Sequence, residues 1–205
     1  IFVLDRPILG EKFVEEIERL QLPLVWLDHH DIEGEDYKVV HKYNPTKTKE
    51  KSEEPVSYWA YKISDRKEDG WLALMGCIAD HYLPDFASDF AKKWPEYWAK
   101  KIKEPFDAYY KTEIGRLARV IGFALKDSVT HVVQLQNFLI NVSSPADIFA
   151  ELESNKAFAR KYREITKKYN ALIEKAKNNI SDKLLFFNYS GDLSISSDIS
   201  NELSY

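Results

Sequence analysis

The sequence predicts an α/β protein: a parallel sheet first, then a helical region with a long connector helix, then the start of a second α/β unit. Three observations predict this. Two short apolar runs each end on an aspartate and are joined by a segment with helical spacing, the pattern of a strand-helix-strand unit in a parallel sheet. From Phe86 onward strand signals vanish and helical periods take over. They return only at Lys183 to Tyr189.

Taken in order, Ile1 to Leu4 is wholly apolar and stops at Asp5, which predicts a strand buried on both faces. Pro7 and Gly10 follow, and Glu11 to Leu20 then carries Phe13, Val14, Ile17 and Leu20 at helical spacing. The second strand, Leu24 to Leu27, ends at Asp28, and a third is predicted over Tyr37 to Tyr43, rich in β-branched and aromatic residues. Asn44 to Glu54 reads as an exposed loop. Pro55 suits the first turn of a helix running to about Ile63, with Ser57 as a candidate cap. Trp71 to Leu83, apolar on nearly every side, predicts a core helix. Further helices are predicted over Ala91 to Lys101, Pro105 to Lys126, Val129 to Val142 and Asn155 to Asn179. Ser144-Pro145-Ala146-Asp147 reads as another helix start, with a capping hydroxyl and an acid in the first turn. On the last long helix, Phe158, Tyr162, Ile165, Tyr169, Leu172 and Ala176 form one narrow apolar stripe, which suits a connector lying against a single neighbour. A turn over Ser190 to Ser194 leads to a short helix holding Ile199 and Leu203. The predicted boundaries are 1–103 for the sheet domain, 104–180 for the helical extension and connector, and 181–205 for the beginning of the next domain.

With 44% hydrophobic and 30% charged residues over 205 positions, the chain can bury a sizeable core. Its net charge of -4 excludes a uniformly basic nucleic-acid coat but leaves room for a local basic groove. The single cysteine, Cys77, precludes an internal disulfide, and no Cys/His spacing suits zinc, so a cytoplasmic location is expected. Within WLALMGCIAD, Cys77 reads as a buried thiol. No signal segment or bilayer-length apolar stretch is present, and no membrane partner is expected. Both ends read as cut, because Ile1 lies inside a strand pattern and Tyr205 inside a helical one.

In open parallel sheets the binding crevice lies at the carboxyl ends of the strands. Asp5, Asp28, His29 and His30 are all delivered there. Each aspartate alone reads as a turn former. Asp-His-His after one strand and Asp after its neighbour favour a metal site, and a mixed carboxylate-imidazole set suits Mn²⁺ or a similar first-row ion.

At these residues the sequence resembles the DHH phosphoesterases. VLDRP at Val3 to Pro7 looks like the second motif of that family, VWLDHHD at Val25 to Asp31 contains the third, and GCIADH at Gly76 to His81 looks like the fourth. The resemblance spans Ile1 to about Leu83 and is architectural through the helical middle. YSGDLSISSDISNEL, from Tyr189 to Leu203, resembles the opening of the DHH-associated domain. The resemblance implies that Asp5 bridges two metal ions, that His29 and Asp80 bind one of them, and that Asp28 binds or orients the centre. It also implies that His30 contacts the scissile phosphate, so Asp28 and His30 are the catalytic candidates. Two Mn²⁺ ions are implied, with Mg²⁺ as the alternative, in a two-metal phosphodiester hydrolysis. Gly76 and Ala79 would let the helix before Asp80 approach a crowded site; alone they read as ordinary close packing, and the other candidate ligands tilt the balance to the site. The first motif of the family is expected upstream of Ile1 and its glycine-rich substrate motif beyond Tyr205. The 205-residue chain alone is therefore expected to bind at most one metal well and to show little or no hydrolysis.

The implied substrates are single-stranded DNA or RNA and short oligonucleotides, as in the RecJ exonucleases and the oligoribonuclease branch. Cyclic dinucleotides and nucleotide 3′-phosphates are alternatives within the same chemistry. A non-catalytic RecJ-like scaffold, partnered by replication or repair proteins, is the alternative from another class; the retained Asp5, Asp28, His29, His30 and Asp80 speak against it. Trp94, Tyr97 and Trp98 among Lys92, Lys93, Lys100 and Lys101 read as core first and as a base-stacking platform second. Lys156, Arg160, Lys161, Arg163, Lys167 and Lys168 read first as a solvated helix face. His41 and His131 show no partner in the sequence.

Overall fold

Three short strands, β1 (Phe2–Leu4), β2 (Leu24–Leu27) and β3 (Val40–Tyr43), form a sheet in the order β1-β2-β3, and both pairings are parallel. The computed structural model describes residues 1–31, 37–154, 156–178, 185–191 and 194–205, with side chains except at 152–154, 156–158 and 161. The fold is mixed α/β and mostly helical, about 60%. It divides into two units, Ile1–Ala108 and Tyr109–Tyr205. No helix among the described residues is long and apolar enough to cross a membrane.

In the first unit, helix α1 (Glu11–Arg19) connects β1 to β2. Its buried Val14 and Ile17 pack with Leu9, Leu24 and Trp26, while its glutamates face solvent. The Trp26 indole N–H donates to the Arg6 carbonyl at 2.7 Å, so one side chain anchors both the sheet face and the loop that follows β1. Burial of β1 on both faces, as its composition predicts, is not what forms. Val3 packs towards α1, whereas Phe2 is 74% exposed on the other face. The third strand is shorter than predicted because a turn closed by the Val40 N–H donating to the Tyr37 carbonyl at 3.2 Å returns Tyr37 and Val39 to the α1 core.

Helices α2 (Val56–Ser64), α3 (Gly70–Ala79) and α4 (Ala87–Lys93) follow, and α5 (Pro105–Lys111) runs across the boundary between the units. Ser57 lies inside α2, and its hydroxyl faces the Cys77 thiol at 3.6 Å instead of capping the helix. Helix α3 stops four residues before the predicted Leu83. His81 adopts a left-handed conformation (φ 57°), and the Tyr82 N–H closes on the Cys77 carbonyl at 2.9 Å, a terminating cap. The helix predicted over Ala91 to Lys101 breaks at Trp94, because the residue before a proline is driven out of the helical region. Pro95–Tyr97 then forms a 3₁₀ turn. Trp94, Tyr97 and Trp98 are all half-buried, with Trp98 edge-on to Phe90 at 5.9 Å between centroids.

Cys77 is fully buried, and burial pushes its thiol up to about 12. It should therefore resist a disulfide reagent such as Ellman's at pH 8 and react only on addition of denaturant. Rapid labelling of the native chain would contradict the buried placement.

The second unit contains α6 (Glu113–Ala124), α7 (Val129–Asn141), α8 (Pro145–Ser154), α9 (Lys156–Lys177) and α10 (Ser196–Ser204). The continuous helix predicted over Pro105 to Lys126 is interrupted at Thr112, which is extended (φ -115°, ψ 157°), and its hydroxyl accepts the Gly115 N–H at 2.9 Å as an N-cap. At the start of α8 the Asp147 carboxylate does the capping, accepting the N–H groups of Ser143 and Ser144 at 2.9 and 2.8 Å.

The core of this unit joins Phe123 of α6, Ile165, Tyr169 and Ile173 of α9, and Ile195 and Ile199 at α10. Two expectations change here. Helix α9 packs against α6, α8 and α10 and is not a rod with one neighbour; Ile173 widens the predicted stripe. Helix α10 is part of the same core, held further by the Tyr169 hydroxyl donating to Glu202 at 2.6 Å and by Lys126 beside Asp198 at 3.1 Å. The boundary predicted at 181 therefore does not separate it from the helices. Of the predicted strand Lys183 to Tyr189, the first two residues lie outside the described residues, and 185–189 form no strand. Residues 192–193 of the predicted turn and the Phe158 side chain also lie outside the described residues.

Candidate metal centre

The parallel register Leu4↔Leu27↔Tyr43 brings the three strand ends level. The ladder runs one residue beyond each of the first two strands. Asp5 N–H donates to the Leu27 carbonyl at 3.0 Å, and Asp28 N–H donates to the Tyr43 carbonyl at 3.1 Å. Asp5 is left-handed (φ 56°), a conformation that aspartate tolerates better than most residues.

Asp28 is only 2% exposed. Its carboxylate folds back over the following turn, accepting the His30 backbone N–H at 3.0 Å and meeting the His30 ring Nδ1 at 2.9 Å. Asn44, the residue after β3, is 6% exposed and holds the same turn from the other side. Its Nδ2 donates to the His30 carbonyl at 2.9 Å, while its Oδ1 accepts from the backbone and hydroxyl of Thr46 at 3.0 and 2.8 Å.

Asp5, His29 and His30 converge so that one ligand atom from each lies within 4.8 Å of the others. His29 Nε2 is 3.4 Å from Asp5 Oδ1, His30 Nδ1 is 3.9 Å from the same oxygen, and the ring centroids are 4.8 Å apart. The His29 side chain is 21% exposed and that of His30 43% exposed, so the cluster sits at an open edge. Hydrogen bonding to His29 holds the Asp5 carboxyl below its ordinary value against the opposing effect of partial burial. The same bond raises His29. Burial opposes it, and the negative charges of Asp80, Asp5 and Asp28 add to the rise.

Asp80 closes α3 and lies outside the three-residue set, though within reach of its charges. Crowding by protein atoms raises its carboxyl, the imidazole of His29 pulls it down, and the carboxylate of Asp5 raises it again. Its surface is open to solvent, which tempers the desolvation. Of the predicted residues, Asp5, His29 and His30 share one cluster, Asp28 stands behind His30, and Asp80, at the end of a second element, is outside the cluster but acts on His29 through its charge. Gly76 has another role. A Cβ there would meet Ser57 Cβ at 2.7 Å, so its size allows α2 and α3 to pack, and Ala79 is exposed. His81 stacks on Phe106 at 4.3 Å, and burial lowers its imidazole. His131 has a partner after all, Asp127 at 3.1 Å, one helical turn away. His41 is exposed on β3.

The sequence places Asn44 in an exposed loop, whereas it is buried and fixes the backbone of His30. The available signal was position: Asn44 follows the third strand as Asp5 and Asp28 follow the first two. No family model matches the chain, and no curated protein or solved structure matches it at a significant level.

Proposed function

We propose that the chain carries the metal centre of a phosphodiester hydrolase acting on single-stranded nucleic acid or short oligonucleotides. The observation that supports this reading is the convergence of Asp5, His29 and His30 within 4.8 Å at the carboxyl edge of a parallel sheet. The resemblance of VLDRP, VWLDHHD and GCIADH to DHH motifs points to the same residues. The donor set fits the ion: one carboxylate with two imidazoles suits Mn²⁺, and the carboxylates of Asp5, Asp28 and Asp80 all act on His29 electrostatically.

Asp5 and His29 would hold the cation, with His30 at their side and the charge of Asp80 acting on His29. Once bound, a divalent cation supplies Lewis-acid polarisation of a phosphoryl oxygen. The protein does the positioning. Asp28 engages the Nδ1 side of His30, which leaves Nε2 as the nitrogen available to a phosphate oxygen or to the cation. Asn44 fixes the backbone from which that ring projects by donating to the His30 carbonyl.

Titration of the chain with Mn²⁺ by calorimetry tests the site. Binding should be at least about tenfold weaker in His29→Ala, and an unchanged affinity would sink the assignment. Binding should also weaken as the pH falls through the raised value of His29, because the imidazole must be neutral to donate its electron pair. Cleavage of labelled single-stranded DNA and RNA by the full-length protein checks the chemistry, and cleavage that survives both Asp28→Ala and His29→Ala refutes it.

A further inference from the structure

Helix α9 concentrates positive charge in an otherwise acidic chain. Eight basic and two acidic residues give α9 a charge of +6, while the whole chain carries -4, so the remaining residues carry -10. Its apolar side is used up in the core through Ile165, Tyr169, Ile173 and Ala176. On its solvent side, Arg160, Arg163, Lys167, Asn170, Glu174 and Lys177 recur every three or four residues, and all six are exposed. The acids are neutralised locally: Glu164 pairs with Lys168 at 3.3 Å, and Glu174 with Lys177 at 3.8 Å. Among the described residues, Arg160, Arg163 and Lys167 have no acidic partner.

We propose that Arg160, Arg163 and Lys167 form a backbone track for single-stranded nucleic acid. The proposal deepens the hydrolase reading by naming a surface for its substrate. At about 1.5 Å rise per residue, the three cations stand about 4.5 and about 6 Å apart along the axis, a line that a single strand can follow. A helix that lies in a membrane surface must offer apolar side chains beside its basic ones. Here the apolar side is buried and the outer strip is entirely polar, so only charge is presented. A flexible polyanion is the occupant that fits this surface.

The test is fluorescence anisotropy with a labelled oligodeoxythymidylate of about 16 nucleotides, a length at the upper end for one small binding fold. It is run in EDTA so that cation binding plays no part. Three released counterions give a salt slope near -2, so affinity should fall about 20-fold between about 50 and about 200 mM salt. The triple variant Arg160→Gln, Arg163→Gln, Lys167→Gln should bind weakly and lose nearly all of that dependence. Glu174→Gln removes an anion from the strip and frees Lys177, and should bind more tightly and more steeply with salt. Circular dichroism controls for folding, and glutamine keeps helix propensity. The proposal is overturned if the wild-type chain does not bind at low salt, if the triple variant binds equally well, or if the chain prefers phosphatidylserine vesicles to the oligonucleotide. A variant with Asp5→Asn and His29→Ala should keep oligonucleotide binding while losing Mn²⁺. The two readings therefore fail separately.

Discussion

Asp28→Asn should weaken Mn²⁺ binding by about 10- to 100-fold while leaving the fold in place, as removal of groups that orient metal ligands commonly does. The substitution is nearly isosteric at a site only 2% exposed, so packing changes little. The asparagine oxygen can still accept the His30 backbone N–H that Asp28 accepts at 3.0 Å. What disappears is the negative charge beside His30 Nδ1 and, with it, the preference for keeping a proton on that nitrogen. The ring then has less reason to present Nε2 outward. Calorimetry gives the affinity, and imidazole NMR resonances report the tautomer. Unchanged affinity together with an unchanged His30 tautomer would show Asp28 to be a turn former only.

Trp26→Ala should cost about 3–5 kcal/mol of stability, the usual range for removing a large buried aromatic side chain. Trp26 is 1% exposed, packs with Leu9, Val14, Ile17 and Leu24, and carries the Lys42 ammonium over its ring at 4.4 Å. Trp26→Phe separates packing from polarity. It keeps most of the ring but frees the Arg6 carbonyl, and about 1 kcal/mol should be lost. Urea unfolding followed by circular dichroism measures both. A loss below about 1 kcal/mol for the alanine variant would mean that the sheet and α1 do not pack as described.

In the proposed metal site, His29 would link proton and cation at one place. Its value is raised by Asp5, so in the absence of metal their pairing stabilises the fold fully below the ordinary histidine value and fades as the pH rises through the raised one. Cation binding has the opposite dependence. Below the raised value the imidazolium itself supplies the positive charge that Asp5 faces, and above it a bound metal would take over that role.

The aspartates that end β1 and β2 were legible in the sequence because the chemistry there is local: an apolar run, a carboxylate and a helical connection long enough for a parallel crossover. The helix ends were less legible. Thr112 breaks a helix through its hydroxyl, and His81 ends another by turning left-handed, although neither residue is a strong stop signal. The partial exposure of β1 could not be read from an apolar run, since composition does not say which face a helix covers. The role of Gly76 was misread because a small residue near a site and a small residue at a helix crossing look alike in sequence. Helix α10 reads as the start of a new α/β unit because strand signals return at Lys183 to Tyr189, whereas Ile195 and Ile199 are drawn into the core of α6 and α9.

The two ladder bonds that continue past β1 and β2 have a further consequence. Asp5 and Asp28 are held by carbonyls of the neighbouring strands, so the anchor points of the cluster are as stiff as the sheet and need no loop to fold around a guest. Such a seat cannot shrink or swell to match an ion's radius. Its selectivity would then come from the softness of two imidazoles and one carboxylate, and an ion that demands an all-oxygen shell would find it a poor host.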